Sequence, residues 1–199
     1  MSGSDEMPAH FLPCYDRRSV LQAAVALGLG VSCRRKAAAQ DDDARHARPQ
    51  EGDRFVFPAG ERQGVVITLA ELPLGGPPLT TYPMDPATGV IRDGSRLNQV
   101  LLIHLPPAEL SDATRARAAQ GIVAYSAVCT HAGCDAWIWQ GEAKTLKCPC
   151  HDSVFDPKEE ARAINGPATR RLPVLPLKVV DGVLMAAGGF VGRVGFKQE

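Results

Sequence analysis

Apolar residues along this chain fall in short, β-branched runs instead of the three-and-four spacing of amphipathic helices. Gly64 to Leu69, Gln99 to Leu105, Gly121 to Val128, Leu175 to Val180 and Val183 to Ala187 each read as a strand. Turn signals lie between them. Val180-Asp181-Gly182-Val183 sets a two-residue Asp-Gly turn between apolar runs, which predicts a hairpin. Pro83 to Gly94 is rich in turn residues, and Pro106 to Gln120 holds the one convincing helix candidate, with Ser111 as its cap. The pattern predicts an all-β fold with little helix.

The amino terminus breaks this pattern. Asp16-Arg17-Arg18-Ser19-Val20-Leu21-Gln22 leads into an apolar run, Val20 to Val31, followed by Ser32-Cys33-Arg34-Arg35-Lys36 and then Ala37-Ala38-Ala39-Gln40. A charged start, a short apolar middle and a small-residue end resemble a twin-arginine signal peptide over residues 1–39, cut after Ala39. Such a route carries folded proteins to the periplasm. The alternative is an amphipathic surface helix with a chance Arg-Arg pair. The apolar run is far shorter than the ~20 residues that cross a bilayer, so cleavage is preferred to a retained membrane anchor facing the periplasm. Gly30 stands where a lipoprotein signal ending at Cys33 would carry a leucine-like residue, so lipidation is not expected.

Removing the signal leaves one domain's worth of chain. The whole sequence has 22 basic and 22 acidic residues, a balance that does not suggest nucleic-acid binding. Residues 40–54, polar and charged, read as a flexible leader, and residues 55–199 as the domain.

The remaining cysteines sit in two boxes, Cys129-Thr130-His131-Ala132-Gly133-Cys134 and Cys148-Pro149-Cys150-His151. Each box holds a histidine at a fixed offset from a cysteine. A Cys2His2 zinc site uses the same donors, but structural zinc fingers usually run cysteines first and histidines last, and here they alternate. Two ordinary disulfides are another reading, since four cysteines allow three pairings. Neither accounts for both histidines.

From Cys129 to Pro173 the chain resembles the Rieske [2Fe-2S] family. The likeness includes Ser153, two residues after the second histidine, and Gly166-Pro167-Ala168, which is similar to that family's proline loop. It implies one [2Fe-2S] cluster per chain, with Cys129 and Cys148 on one iron and His131 and His151 on the other. It also implies an antiparallel β sandwich with a cluster-binding subdomain inserted at about residues 127–173. Cys134 and Cys150 resemble the paired cysteines of the high-potential branch, comprising the cytochrome bc and bf complexes and the arsenite oxidase small subunit. That implies a disulfide between them, which an oxidising periplasm would preserve.

The same resemblance assigns tuning roles. Ser153 matches a donor to a bridging sulfide. Phe155 occupies the place where quinol-oxidising relatives carry a tyrosine that donates to a cysteine sulfur, and Asp152 stands where they often have glycine. Both differences imply a potential below that of those relatives. Ala168-Thr169-Arg170-Arg171-Leu172-Pro173 and Gly189-Phe190-Val191-Gly192-Arg193 are more similar to the arsenite oxidase small subunit. The resemblance therefore implies a periplasmic electron-transfer subunit without a substrate site of its own. It would relay single electrons from a molybdopterin-containing large subunit to a cytochrome c or cupredoxin. The alternative is the Rieske subunit of a quinol-cytochrome c reductase.

Other residues carry less. His104 alternates out of an apolar strand and is expected to be hydrogen-bonded, not a ligand. Trp137 and Trp139 would share one strand face as packing residues that cover the cluster loop. His10 and His46 fall in the signal and the leader.

Overall fold

A computed structural model describes residues 41–196, so the expected export signal lies outside the described residues. Residues 41–46 are helical (α1), and one turn at Asp112–Arg115 forms α2. Ten strands follow in order: β1 (Arg54–Val56), β2 (Leu79–Met84), β3 (Val100–His104), β4 (Ile122–Ser126), β5 (Ile138–Gln140), β6 (Thr145–Lys147), β7 (Val154–Asp156), β8 (Arg162–Asn165), β9 (Leu177–Val180) and β10 (Val183–Ala186). They build two antiparallel sheets, a six-stranded one in the order β4-β3-β2-β1-β10-β9 and a four-stranded one in the order β5-β6-β7-β8. The smaller sheet is a continuous insertion between β4 and β9 and contains the second cysteine box. The all-β expectation matches this architecture.

Strands β3 and β4 explain how the two sheets are joined. Side chains alternate across a strand, and here both faces are buried. Val100, Leu102, Ile122 and Ala124 face one apolar cluster with Phe55, Leu175 and Leu184. Leu101, Ile103, Val123 and Tyr125 face a second cluster that holds Leu146, Phe155, Cys129 and Cys148. Burying one such Leu, Ile or Phe side chain is worth about 1.5–3 kcal/mol. The wall behind the cysteine boxes is therefore dense core. Tyr125 anchors it further, since its hydroxyl donates to the Pro157 carbonyl at 2.7 Å and burial pushes its phenol well above the usual value.

The β9–β10 hairpin turns at Asp181 and Gly182, both with positive φ, as the Asp-Gly pair predicts. Ser111 caps α2 by accepting the Thr114 N–H, but that helix is one turn long: Arg117 and Ala118 donate three residues back, and Ala119 then pairs with Ile122. Gly64 to Leu69 is not a strand. It makes only isolated bridges, and a 3-10 turn begins at Leu69.

Residues 41–54 depart most from expectation. Expected as a flexible leader, they are tied to the domain by buried polar pairs. Arg92 donates to both Asp53 carboxylate oxygens, at 2.6 and 3.0 Å, with both side chains nearly shut off from solvent. Asn98, fully buried, donates to the Ala47 carbonyl at 2.8 Å, and Arg45 pairs with Asp93. The partners lie 39 to 51 residues away in sequence, so local composition could not reveal them.

Candidate metal centre

The first box is delivered by the end of β4. Ala127 donates to the Gln99 carbonyl, and the Ser126 hydroxyl accepts the Val128 N–H, which hold the exit of the strand. The box then closes on itself. The Cys129 N–H donates to the Cys134 carbonyl at 2.7 Å, and the Gly133 N–H to the Cys129 carbonyl at 3.0 Å. Gly133 has φ +80°, and a Cβ there would meet the Phe196 ring at 2.8 Å, so the tight return requires glycine. The second box leaves β6 and turns back into β7, with the Cys148 N–H donating to the Ser153 carbonyl at 2.9 Å.

These two loops face each other. Cys134 and Cys150 are joined by a disulfide that links the loop tips. Their sulfurs and that of Cys148 lie within 4.8 Å of one another. Cys129 and Cys148 remain free thiols, both about 1% exposed. Burial pushes the Cys129 thiol up to about 11, opposed by the backbone N–H groups of His131 and Ala132 that point at its sulfur. The His131 and His151 rings meet edge to face with centroids 4.7 Å apart. His151 is exposed, and His131 is half-buried with its Nδ1 sealed from water and without a hydrogen-bond partner among the described residues.

A buried, unpartnered imidazole nitrogen is costly in a folded protein. That nitrogen is free to ligate a metal, as are the buried Cys129 and Cys148 sulfurs. The described donor set, two sulfurs and two ring nitrogens, suits an iron centre that mixes thiolate and imidazole ligation. Residues 105–176 match the family model of the Rieske [2Fe-2S] domain. The chain carries a Rieske domain. Its cofactor is a [2Fe-2S] cluster, and the residues present fit that group.

Relatives agree on the domain. The chain is 40% identical over 122 residues to a putative respiratory nitrate reductase Rieske subunit of Haloferax mediterranei, a match covering 60% of this chain and 52% of that protein. It is 44% identical over 73 residues to the cytochrome bc1 complex Rieske iron-sulfur subunit of Corynebacterium diphtheriae, covering 36% of this chain and 18% of that one. The chain thus spans about half the length of the first relative and less than a fifth of the second. Among solved structures, a chain of a hyperthermophilic respiratory Complex III superposes with a TM-score of 0.41 at 24% identity, covering 59% of this chain and 70% of that one.

Around the Rieske site the structure adds contacts that the sequence did not reveal. Ser153 is fully buried, and its Oγ accepts the Ala168 N–H at 3.2 Å, leaving its own O–H free to donate elsewhere. Gly166 lies so close that a Cβ would meet the Ser153 Cα at 2.5 Å. The proline loop is therefore pressed against the second box. Thr130 ties it to the first box as well, since its hydroxyl donates to the Arg170 carbonyl at 2.7 Å. The only sequence clue to these contacts was the Gly-Pro pair.

Asp152 takes φ +59°, a conformation that favours glycine, and its carboxylate pairs with Lys147 at 2.7 Å. The expected opposition of this carboxylate to reduction is thus offset by a neighbouring ammonium. Phe155 is fully buried with its ring edge-on to Trp137 at 5.6 Å. Trp137 donates its indole N–H to the Ala127 carbonyl at 2.7 Å, and Trp139 packs against Gly76, so both tryptophans are packing residues. His104 is bonded through Nδ1 to the Leu72 carbonyl at 3.0 Å, away from both boxes.

Proposed function

We propose that Cys129, Cys148, His131 and His151 hold the cluster, and that the chain relays single electrons for a larger respiratory oxidoreductase. The observations that support this reading are two buried free thiols that lie side by side, an orphaned His131 nitrogen, and an exposed His151 ring 4.7 Å from the His131 ring. When bound, the cluster supplies one-electron chemistry, and its two imidazole ligands raise the potential to between ~−150 and +300 mV. The chain's own groups set where in that range it falls. The N–H groups of His131 and Ala132 and the Ser153 hydroxyl favour the more negative, reduced state by donating to sulfur. The β3–β4 wall and the disulfide exclude water from one side, while the exposed His151 edge leaves an electron exit on the other.

We read the complex as one resembling arsenite oxidase, with a molybdopterin-containing large subunit as donor, a cytochrome c or cupredoxin as acceptor, and a periplasmic location reached by the twin-arginine route. Support comes from the 168–173 segment and from Phe155 in place of a tyrosine. The match to a nitrate reductase Rieske subunit also covers more of this chain than the match to a cytochrome bc1 subunit. A quinol-cytochrome c reductase is the second reading, favoured by the named bc1 relatives. Purification from the native source decides between them. A start at Gln40 and elution with molybdenum support the first reading, and an intact amino terminus in a membrane complex with a b-type cytochrome supports the second. Two irons and two sulfides per chain test the cofactor ligation in either case.

A further inference from the structure

A groove of about 650 Å³ opens between β8, the proline loop and the stretch after β10. Its walls carry Arg117, Arg162, Arg170, Arg171 and Arg193 against a single acidic residue, Glu160. Glu160 is taken up by Arg117, at 2.5 Å, and by Arg171. Arg170 directs its guanidinium to the carbonyls of Arg193 and Gly195. Arg162 and Arg193 are exposed, and among the described residues neither has an ion-pair partner. In a chain with equal numbers of acidic and basic residues, this concentrates positive charge on one side.

The groove is mechanically joined to both ligand loops. Arg170 in its wall accepts from Thr130, between Cys129 and His131, and Ala168 donates to Ser153 behind His151. Val191, 45% exposed on the rim, adds an apolar contact. Arginine-lined surfaces of this kind raise the encounter rate of oppositely charged partners and fix their orientation.

We propose that this groove docks the acidic face of a protein redox partner, with Arg162 and Arg193 as the specificity-determining cations. The inference rests on the electron-transfer reading above and adds the charge of the partner. A docked carboxylate surface would lie against backbone that is hydrogen-bonded to one side chain of each loop, Thr130 and Ser153.

The test uses the full cluster-bound chain and a hexaglutamate peptide as probe, titrated at 20 and 200 mM salt. Wild type should bind at low salt and weaken at least tenfold at high salt. The double variant Arg162→Glu, Arg193→Glu should lose at least tenfold in affinity at low salt. Its visible spectrum and potential report separately on the cluster, so a failure of the electron-transfer reading would show there. The control Arg62→Glu, Lys178→Glu makes the same change in net charge away from the groove and should stay within twofold of wild type. Absence of binding by wild type, equal loss in both double variants, or inorganic phosphate binding as tightly as the peptide would each overturn the docking assignment.

Discussion

The Ser153 hydroxyl oxygen accepts the Ala168 N–H at 3.2 Å, so one buried side chain joins the second ligand loop to the proline loop. Its own proton is left free, and in the ligation proposed above it donates toward the cluster. Ser153→Ala should therefore lower the potential, and Phe155→Tyr, which adds a hydroxyl donor, should raise it. For a one-electron couple ~59 mV corresponds to ~1.4 kcal/mol, about one net hydrogen bond, so shifts of several tens of millivolts are expected. Protein-film voltammetry measures both, and unchanged potentials would remove these two side chains from the sulfur environment.

The charge pair beside the site makes an independent prediction. Lys147→Met leaves the Asp152 carboxylate unneutralised near the second box and should lower the potential by tens of millivolts. Asp152→Gly removes that negative charge and suits the φ of +59°, so it should raise the potential without loss of stability. Equal potentials for the two variants would show that this pair does not act on the cluster.

The disulfide joins cysteines 16 apart in sequence, a loop for which the chain-entropy estimate is about 3 kcal/mol. The double variant Cys134→Ser, Cys150→Ser should still assemble a cluster with an unchanged ligand spectrum but lose it faster on heating. Cys129→Ser should fail at assembly. Thermal decay of the visible absorbance separates a bracing role from ligation, and equal assembly failure would merge them.

Asp53→Ala strips the partner from a buried Arg92 guanidinium, a kind of change that typically costs 3–5 kcal/mol. Urea titration should register a loss of that order. A change below about 1 kcal/mol would return residues 41–54 to the status of a loose leader.

Cluster removal exposes a pH signature of Cys129. Burial holds its thiol at about 11, above the ordinary 9.0, so in folded cluster-free protein the thiol form persists at pH 7. Because the folded value is raised, the stability linked to it is fully present below pH 9 and is lost as pH rises towards 11. The Cys129 alkylation rate should climb through that window. A profile that levels off near pH 9 would mean that the reacting species is unfolded.

The two boxes and the all-β class were legible in the sequence, because each depends on residues close together. Cysteine and histidine at short spacing declare their chemistry locally, and the Asp-Gly hairpin is set by two residues alone. Tertiary structure decided what depends on residues far apart. Side-chain hydrogen bonds between residues 39 and 51 apart anchor the segment that local polarity marked as mobile, through Arg92 on Asp53 and Asn98 on Ala47. The expected helix after Pro106 is one turn long, followed by the pairing of Ala119 with Ile122. The meeting of Thr130 with Arg170 and of Ser153 with Ala168 likewise arises only in the tertiary structure, since hydrogen bonds form by proximity in space, here across 40 and 15 residues of chain, whereas the Lys147–Asp152 pair closes locally between β6 and β7.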